Sequence, residues 1–313
     1  MSLVLNSYDS SLRLIVAEAV STIYDYMQAS TPFMAKKAGE WMQQLSGTVR
    51  VEDYFLHPSA FPMFLLPWWV EKTLQPQPDE ALQKAIAYST ANGYYYIRLI
   101  DNLMDGDTDT SASLLPALNF FHSQFQHSYY HYFSSEHPFW NLFNQVWFRS
   151  GESAMEDAYQ TDIDFARFQQ IAAQKICAVK IPIAAICYYH QQPELIKPWS
   201  IFVDLLGCWH QMSNDLFDWV KDSANQSKTY FLCEAARQKL PQESLTTWVM
   251  RYGFNWACEL LQAWMAELQE QAIALHNPEL HNYLIQREQM FFHKQDKVMA
   301  GFKSMNHLLN ILQ

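Results

Sequence analysis

Apolar residues recur at three- and four-residue intervals through most of this chain, and that period can bury an apolar stripe only as helices. The pattern runs through 11–30, 79–104, 115–133, 165–190, 198–222, 245–275 and 278–311. Punctuation marks several of the ends: "PQPDE" before 79, Gly106 after 105, "SSEHP" at 134–138, "QQPELIKP" at 191–198 and "HNPE" at 276–279. No hairpin signal, internal repeat, low-complexity tract or dividing linker interrupts it. The expectation is an all-α fold, one domain over residues 1–313.

Composition narrows the function. Only eight glycines occur, and none form GxGxxG or a P-loop, which removes most nucleotide-binding α/β designs. A chain that is 50% hydrophobic and 17% charged is globular, and a net charge of −11 leaves no basic surplus for nucleic acid. The five cysteines form no CxxC pair, as expected of reduced core residues in a cytosolic protein. "MSLVLNSYDSSLRLIV" lacks the pattern of a signal peptide, and "FPMFLLPWWV" is short and broken by Pro62 and Pro67. A cytoplasmic protein without an integral membrane segment is expected.

Carboxylates carry the chemistry. In "GYYYIRLIDNLMDGDTDTS" an aromatic run ends in Asp101, Asp105, Asp107 and Asp109. Asp101 and Asp105 are four apart and share a helix face, and Gly106 ends the helix there. Anions are disfavoured at a helix C-terminus, where the macrodipole is negative. A solvated acidic turn is the bland explanation. A hard divalent cation is the sharper one, since Mg²⁺ takes one or two carboxylates plus substrate phosphates. "NDLFDWVKD" then places Asn214, Asp218 and Asp222 along one face, with Asp215 off the stripe, directly after the apolar "LLGCWHQMS". Two such sets on opposing helices are expected to face each other across a bundle core. A di-iron site needs Glu-x-x-His pairs, whereas Glu136 adjoins His137, and HExxH is absent. Oxygen-only donors point to Mg²⁺ or Mn²⁺.

These motifs resemble those of the class I isoprenoid synthase superfamily, over 85–235. "IRLIDNLMD" is similar to its first aspartate-rich motif, with Asn102 in place of a second adjacent aspartate. "NDLFDWVKD" resembles the terpene synthase pattern of Asn/Asp-Asp-Leu, then Ser/Thr, then Glu, with Asp218 and Asp222 at the last two places. It also resembles the DDxxD motif of trans-prenyltransferases, with Asn214 at the first aspartate.

The resemblance implies a single large helical bundle with a central active-site cavity, three Mg²⁺ ions (or Mn²⁺), a prenyl diphosphate substrate and a homodimer. Asp101, Asp105, Asn214, Asp218 and Asp222 would be the catalytic metal ligands. Arg98, Lys175, Lys180 and Lys228 would bind the diphosphate, and Arg287, Lys294 and Lys297 stand where a C-terminal Arg-Tyr pair is missing. Trp68, Tyr94 and Trp209, with Phe61, Phe64 and Trp147, would line the hydrocarbon and steady a carbocation through their ring faces, although core packing also explains such rings.

"PFMAKKAGEW" only faintly echoes the basic motif of chain-elongating enzymes, and "GDTDTSASLLP" lacks their arginine pair. The implied activity is therefore a terpene synthase. A trans-prenyltransferase, a squalene/phytoene synthase-like condensing enzyme and a non-catalytic partner subunit are the alternatives, the last disfavoured because both acidic motifs are populated.

Overall fold

The computed structural model describes residues 8–107 and 110–312, and every regular element among them is helical. The first helices are α1 (Ser10–Ser30), α2 (Pro32–Ser46), α3 (Leu65–Leu74), α4 (Glu80–Met104), α5 (Leu115–His127) and α6 (Pro138–Ala158). They are followed by α7 (Phe165–Lys175), α8 (Lys180–Tyr189), α9 (Ile196–Ala224), α10 (Tyr230–Gln238), α11 (Leu245–Trp248), α12 (Phe254–Ala274) and α13 (Pro278–Leu312). The all-α expectation holds. No single helix among the described residues is long and apolar enough to cross a membrane.

Several boundaries differ from the periodicity. The window at 165–190 breaks at Ile176, with a 3₁₀ turn at Cys177–Val179 before α8. The window at 245–275 contains a π-helical turn, Val249–Gly253. There the Trp248 indole lies so close that a Cβ on Gly253 would come within 2.2 Å of it, which only glycine allows. Helix α5 stops at His127 and continues as a 3₁₀ turn. The pattern also passes over α2, α3, α6 and α10. Helix α3 contains Pro67, which sits in the first turn, where no backbone amide is needed for the helix ladder.

The helices gather into two compact units. The first spans Asn6–Ala158 and Cys177–Ser200. In it α4 packs on α1 and α5, α3 packs on α8, and α6 packs on α8. Phe55, Phe64, Trp69, Tyr95, Phe121, Phe139 and Phe143 are fully buried there. Gly93 lets α4 approach α5, because a Cβ at that position would lie 2.9 Å from the Phe125 ring.

One carboxylate organises the base of this unit. Glu71 is fully buried. It accepts from Gln75 Nε2 (2.9 Å), from the Asp79 backbone N–H (3.0 Å) and from Gln83 Nε2 (2.6 Å), and His190 Nε2 lies 2.9 Å away. Asp79 in turn caps α4 through the N–H groups of Ala81 and Leu82, and accepts the Tyr189 hydroxyl at 3.2 Å. The network thus ties α3, α8 and the N-terminus of α4 together, satisfying helix-end donors that burial would otherwise strand.

The second unit spans Tyr159–Ile176 and Ile201–Gln313. Its α12 packs on α13 and on the π turn. Gly207 brings α9 against α7, where a Cβ would lie 2.6 Å from Ile176. Phe165 and Phe168 stack on Trp264, the latter at 9° between planes. Glu243 accepts from Arg251 Nε (2.7 Å) and Nη2 (2.9 Å) and from the Leu240 N–H (3.0 Å), and the guanidinium holds its carboxyl down at about 2.

Replacing Glu71 by leucine removes four polar partners' common acceptor, so Glu71→Leu is expected to cost about 3 kcal/mol, with Glu71→Gln costing less. Urea unfolding measures both; a loss under about 0.5 kcal/mol for the leucine variant would contradict the role assigned to this carboxylate.

Candidate functional site

Helix α4 delivers Asp101 and Asp105 to its own C-terminus. Its apolar stripe of Leu82, Ile86, Ala91, Tyr95 and Leu99 faces the core, so Tyr94, Arg98, Asp101 and Asp105 occupy a neighbouring stripe. The helix stops where expected: Gly106 takes φ +66°, its N–H bonds Leu103 O (3.3 Å) and the Asp107 N–H bonds Asn102 O (2.9 Å). That is a Schellman arrangement, which consumes carbonyls at the helix end. Asp101 is half-buried, and Asp105 and Asp107 are exposed, while Asp109 lies outside the described residues. Asn102 is buried and donates to Thr110 Oγ1 at 3.2 Å, which ties the helix end to Thr110.

Of the other residues singled out in this unit, Arg98 keeps its Nε buried without a hydrogen-bond partner among the described residues. The hydroxyls of Tyr94 and Tyr54 bond to one another, and burial pushes the Tyr94 phenol far up. Tyr94 also meets Phe55 edge-on, Phe64 packs on Phe55, and Trp68 is buried beneath Lys72, whose Nζ lies 5.6 Å from its ring. Phe61 is half-buried. Local packing accounts for the positions of Phe64 and Trp68. Lys180 is half-buried at the start of α8.

Asp101 also borders a cavity of about 590 Å³ between α4, α5 and α6. Of its lining, Asp101 and Trp147 were singled out in the sequence, and the rest comes from three helices with unrelated local patterns.

Helix α9 carries the second set. Leu206, Trp209, Met212 and Leu216 are buried along its core face. Asn214 and Asp218 are exposed, Asp222 is half-buried and Lys228 is exposed in the following loop. Asp215, off the stripe, is 3% exposed and accepts from Gln211 Nε2 at 2.8 Å, so it belongs to the interior. Burial raises the Asp222 carboxyl above its usual value, and Asp218 one turn away adds repulsion, against a smaller opposing pull from Lys221. The end of α9 repeats the cap of α4 without glycine: Gln226 takes φ +57°, and the Ser227 N–H bonds Asp222 O at 2.9 Å. A glutamine in this left-handed conformation is strained by about 1 kcal/mol.

Helix α13 sets basic groups against α9. Arg287, 8% exposed, lies over the rings of Trp209 (5.4 Å) and Tyr283 (5.9 Å). Its Nη2 is 3.5 Å from His210 Nδ1, and burial together with Arg287 drives the imidazole down to about 3, leaving it a neutral acceptor. Trp209 therefore offers a ring face to Arg287. Lys294 stands 4.1 Å over Phe217, its ammonium disfavoured by desolvation and by Arg287, and favoured by Asp218. Tyr283, Arg287 and Lys294 fall on one face at four- and seven-residue spacing, a signal visible in sequence only once α9 is known to be the partner. Lys297 is exposed on α13, and Lys175 is exposed at the end of α7.

Among the described residues no group of three or more His, Cys, Asp or Glu side chains forms a metal cage. The oxygen-bearing side chains that helical spacing sets together are Asp101 with Asp105, and Asn214 with Asp218 and Asp222. Such sets suit a hard divalent ion that completes its shell with water and phosphate oxygens. The chain matches no protein-family model and no curated protein.

The raised Asp222 has a stability consequence. Because the folded state holds this proton more tightly than the unfolded chain, ionised Asp222 costs stability above its folded pKa, and the cost fades as pH falls toward the unfolded value near 3.8. Without divalent metal, Asp222→Asn is expected to stabilise at pH 7 by less than about 1 kcal/mol, as for a partly exposed charge, and to change nothing at pH 3. Thermal melts at both pH values check this; destabilisation at pH 7 would refute the repulsion.

Proposed function

We propose that this chain is a Mg²⁺-dependent class I terpene synthase, a cytoplasmic enzyme that ionises an allylic prenyl diphosphate, cyclises or rearranges the carbocation and releases pyrophosphate. The observation that carries the reading is the pair of carboxylate stations, each near the C-terminal end of a long apolar helix, one of them with a carboxyl already raised by burial and by its neighbour.

When bound, Mg²⁺ supplies positive charge that holds the diphosphate and stabilises its departure. Asp101 and Asp105 would offer oxygens for it in the first unit, and Asn214, Asp218 and Asp222 in the second. Arg287 is fixed by two rings and His210, and Lys294 is fixed over Phe217, so neither needs much reorganisation to meet an anion. The resemblance also assigns Arg98, Lys175, Lys180 and Lys228 to diphosphate binding. Once the diphosphate leaves, aromatic ring faces can steady the cation, and loss of a proton or capture of water ends the reaction. A homodimer is proposed on the resemblance alone.

Purified protein incubated with geranyl, farnesyl and geranylgeranyl diphosphates should release pyrophosphate and form a hydrocarbon or alcohol from a single allylic substrate, and EDTA should abolish both. Asp101→Ala and Asp218→Ala should each lower turnover at least ~100-fold. Unchanged turnover in both variants would overturn the site. Longer diphosphates formed only with isopentenyl diphosphate would instead identify a chain-elongating prenyltransferase.

A further inference from the structure

Several histidines of this chain have their ring nitrogens engaged. His190 lies 2.9 Å from Glu71, His210 faces Arg287, and His122 pairs with Gln126 Nε2 at 3.0 Å. The Nδ1 atoms of His57 and His137 accept the backbone N–H groups of Ser59 and Phe139. His127 and His131 differ. They stand four apart in the chain, where α5 ends at His127 and the 3₁₀ turn Ser128–His131 continues it. Both are exposed, and among the described residues neither ring makes a hydrogen bond or an ion pair. Their rings meet each other instead, with centroids 5.2 Å apart and planes at 83°.

The surroundings suit a cation. Residues 110–135 contain no Asp, Glu, Lys or Arg. No fixed positive charge in that stretch repels a metal ion, and no carboxylate in it competes to bind one. His127 occupies the last turn of α5, where carbonyl groups without helical partners give a negative field.

The separation of the rings can be compared with coordination geometry. An imidazole nitrogen bonds Zn²⁺ at about 2.05 Å, which puts the ring centroid about 3.2 Å from the ion. Two such rings at a tetrahedral angle have centroids about 5.2 Å apart, and at a right angle about 4.5 Å. The spacing of His127 and His131 is the tetrahedral one. Edge-to-face packing alone gives similar distances. What sets this pair apart is that no hydrogen bond has to break for both rings to turn a nitrogen to one ion.

We propose that His127 and His131 form an open site for Zn²⁺, each giving one ring nitrogen, with water at the remaining positions. Neutral imidazole suits Zn²⁺, Cu²⁺ and Ni²⁺, whereas Mg²⁺ takes oxygen ligands. The tetrahedral spacing favours Zn²⁺ over the square-planar ions. The site is therefore chemically distinct from the carboxylate stations and stands whether or not those bind Mg²⁺. Two protein ligands make a weak site, with a dissociation constant on the order of 10 µM, about half the binding free energy of a closed four-ligand site.

The test uses tag-free protein stripped of metal with EDTA and dialysed, and compares wild type with His127→Ala, His131→Ala, Asp101→Ala and, as a histidine control, His281→Ala. Zn²⁺ binding is measured by calorimetry in excess Mg²⁺, and the histidine ring resonances are followed by NMR. Wild type should bind one Zn²⁺ per chain and shift the resonances of His127 and His131. Each of their alanine variants should weaken binding about tenfold or more, while melting as wild type does without metal, because both side chains are exposed. His281→Ala and Asp101→Ala should bind as wild type.

Zn²⁺ binding that is unchanged in both His127→Ala and His131→Ala would overturn the proposal. Loss of binding in Asp101→Ala, or its displacement by Mg²⁺, would overturn it by moving the ion to the carboxylates. No binding up to roughly 1 mM Zn²⁺ would also overturn it. One ion per two chains, lost in either histidine variant, would uphold both ligands and assign the remaining ones to a second copy of the chain.

Discussion

Carboxylates near the end of a helix, one turn apart, are held against two forces at once: their mutual repulsion and the negative pole of the helix dipole. Asp101 and Asp105 on α4, and Asp218 and Asp222 on α9, are both in this position. The Asp222 carboxyl is raised first by burial and then by the neighbouring Asp218 charge. Much of the surrounding structure can be understood as holding these helix ends in place despite that repulsion. Helix α4 is pinned at its far end by the Glu71–Asp79 network and closed by Gly106, and α9 is closed by Gln226 in a strained conformation. Local rules broken at a particular place, with compensation elsewhere, are the pattern expected of a functional site. On the proposed reading, a divalent cation would remove the repulsion and use the carboxylates as ligands.

The basic groups obey a related logic. Arg287 is buried, a costly position for a guanidinium, and the cost is reduced by two ring faces and a neutral imidazole. His210 can serve as acceptor only because burial and Arg287 keep it unprotonated. Lys294, nearer solvent, is poised over Phe217 and faces the field of Asp218. Each cation is held by packing as much as by charge.

The helical class, the ends at Gly106 and Pro278, and the shared face of Asn214, Asp218 and Asp222 were legible in sequence, because period, punctuation and i, i+4 spacing are local properties. The break at Ile176 and the π turn before Gly253 were not, since the apolar pattern continues through both and what interrupts the second is a close approach by Trp248. Prolines hid α3, although Pro67 sits where a helix tolerates it. Asp215 reads as another surface acid in sequence yet is buried on Gln211. The Arg287–Trp209–His210 cluster and the cavity over Trp147 join residues far apart in the chain, and no spacing rule reaches that distance.

The central claim is that these carboxylate stations are ligands for a divalent cation whose remaining coordination comes from phosphate oxygens. Titration of the wild-type chain with Mn²⁺, followed by electron paramagnetic resonance with and without pyrophosphate, tests it without reference to any product. The account predicts weak Mn²⁺ binding alone, at least tenfold tighter binding with pyrophosphate, and loss of that gain in the Asp101→Ala and Asp218→Ala chains. Mn²⁺ that stays free in the presence of pyrophosphate, or binding that survives both substitutions, would contradict it.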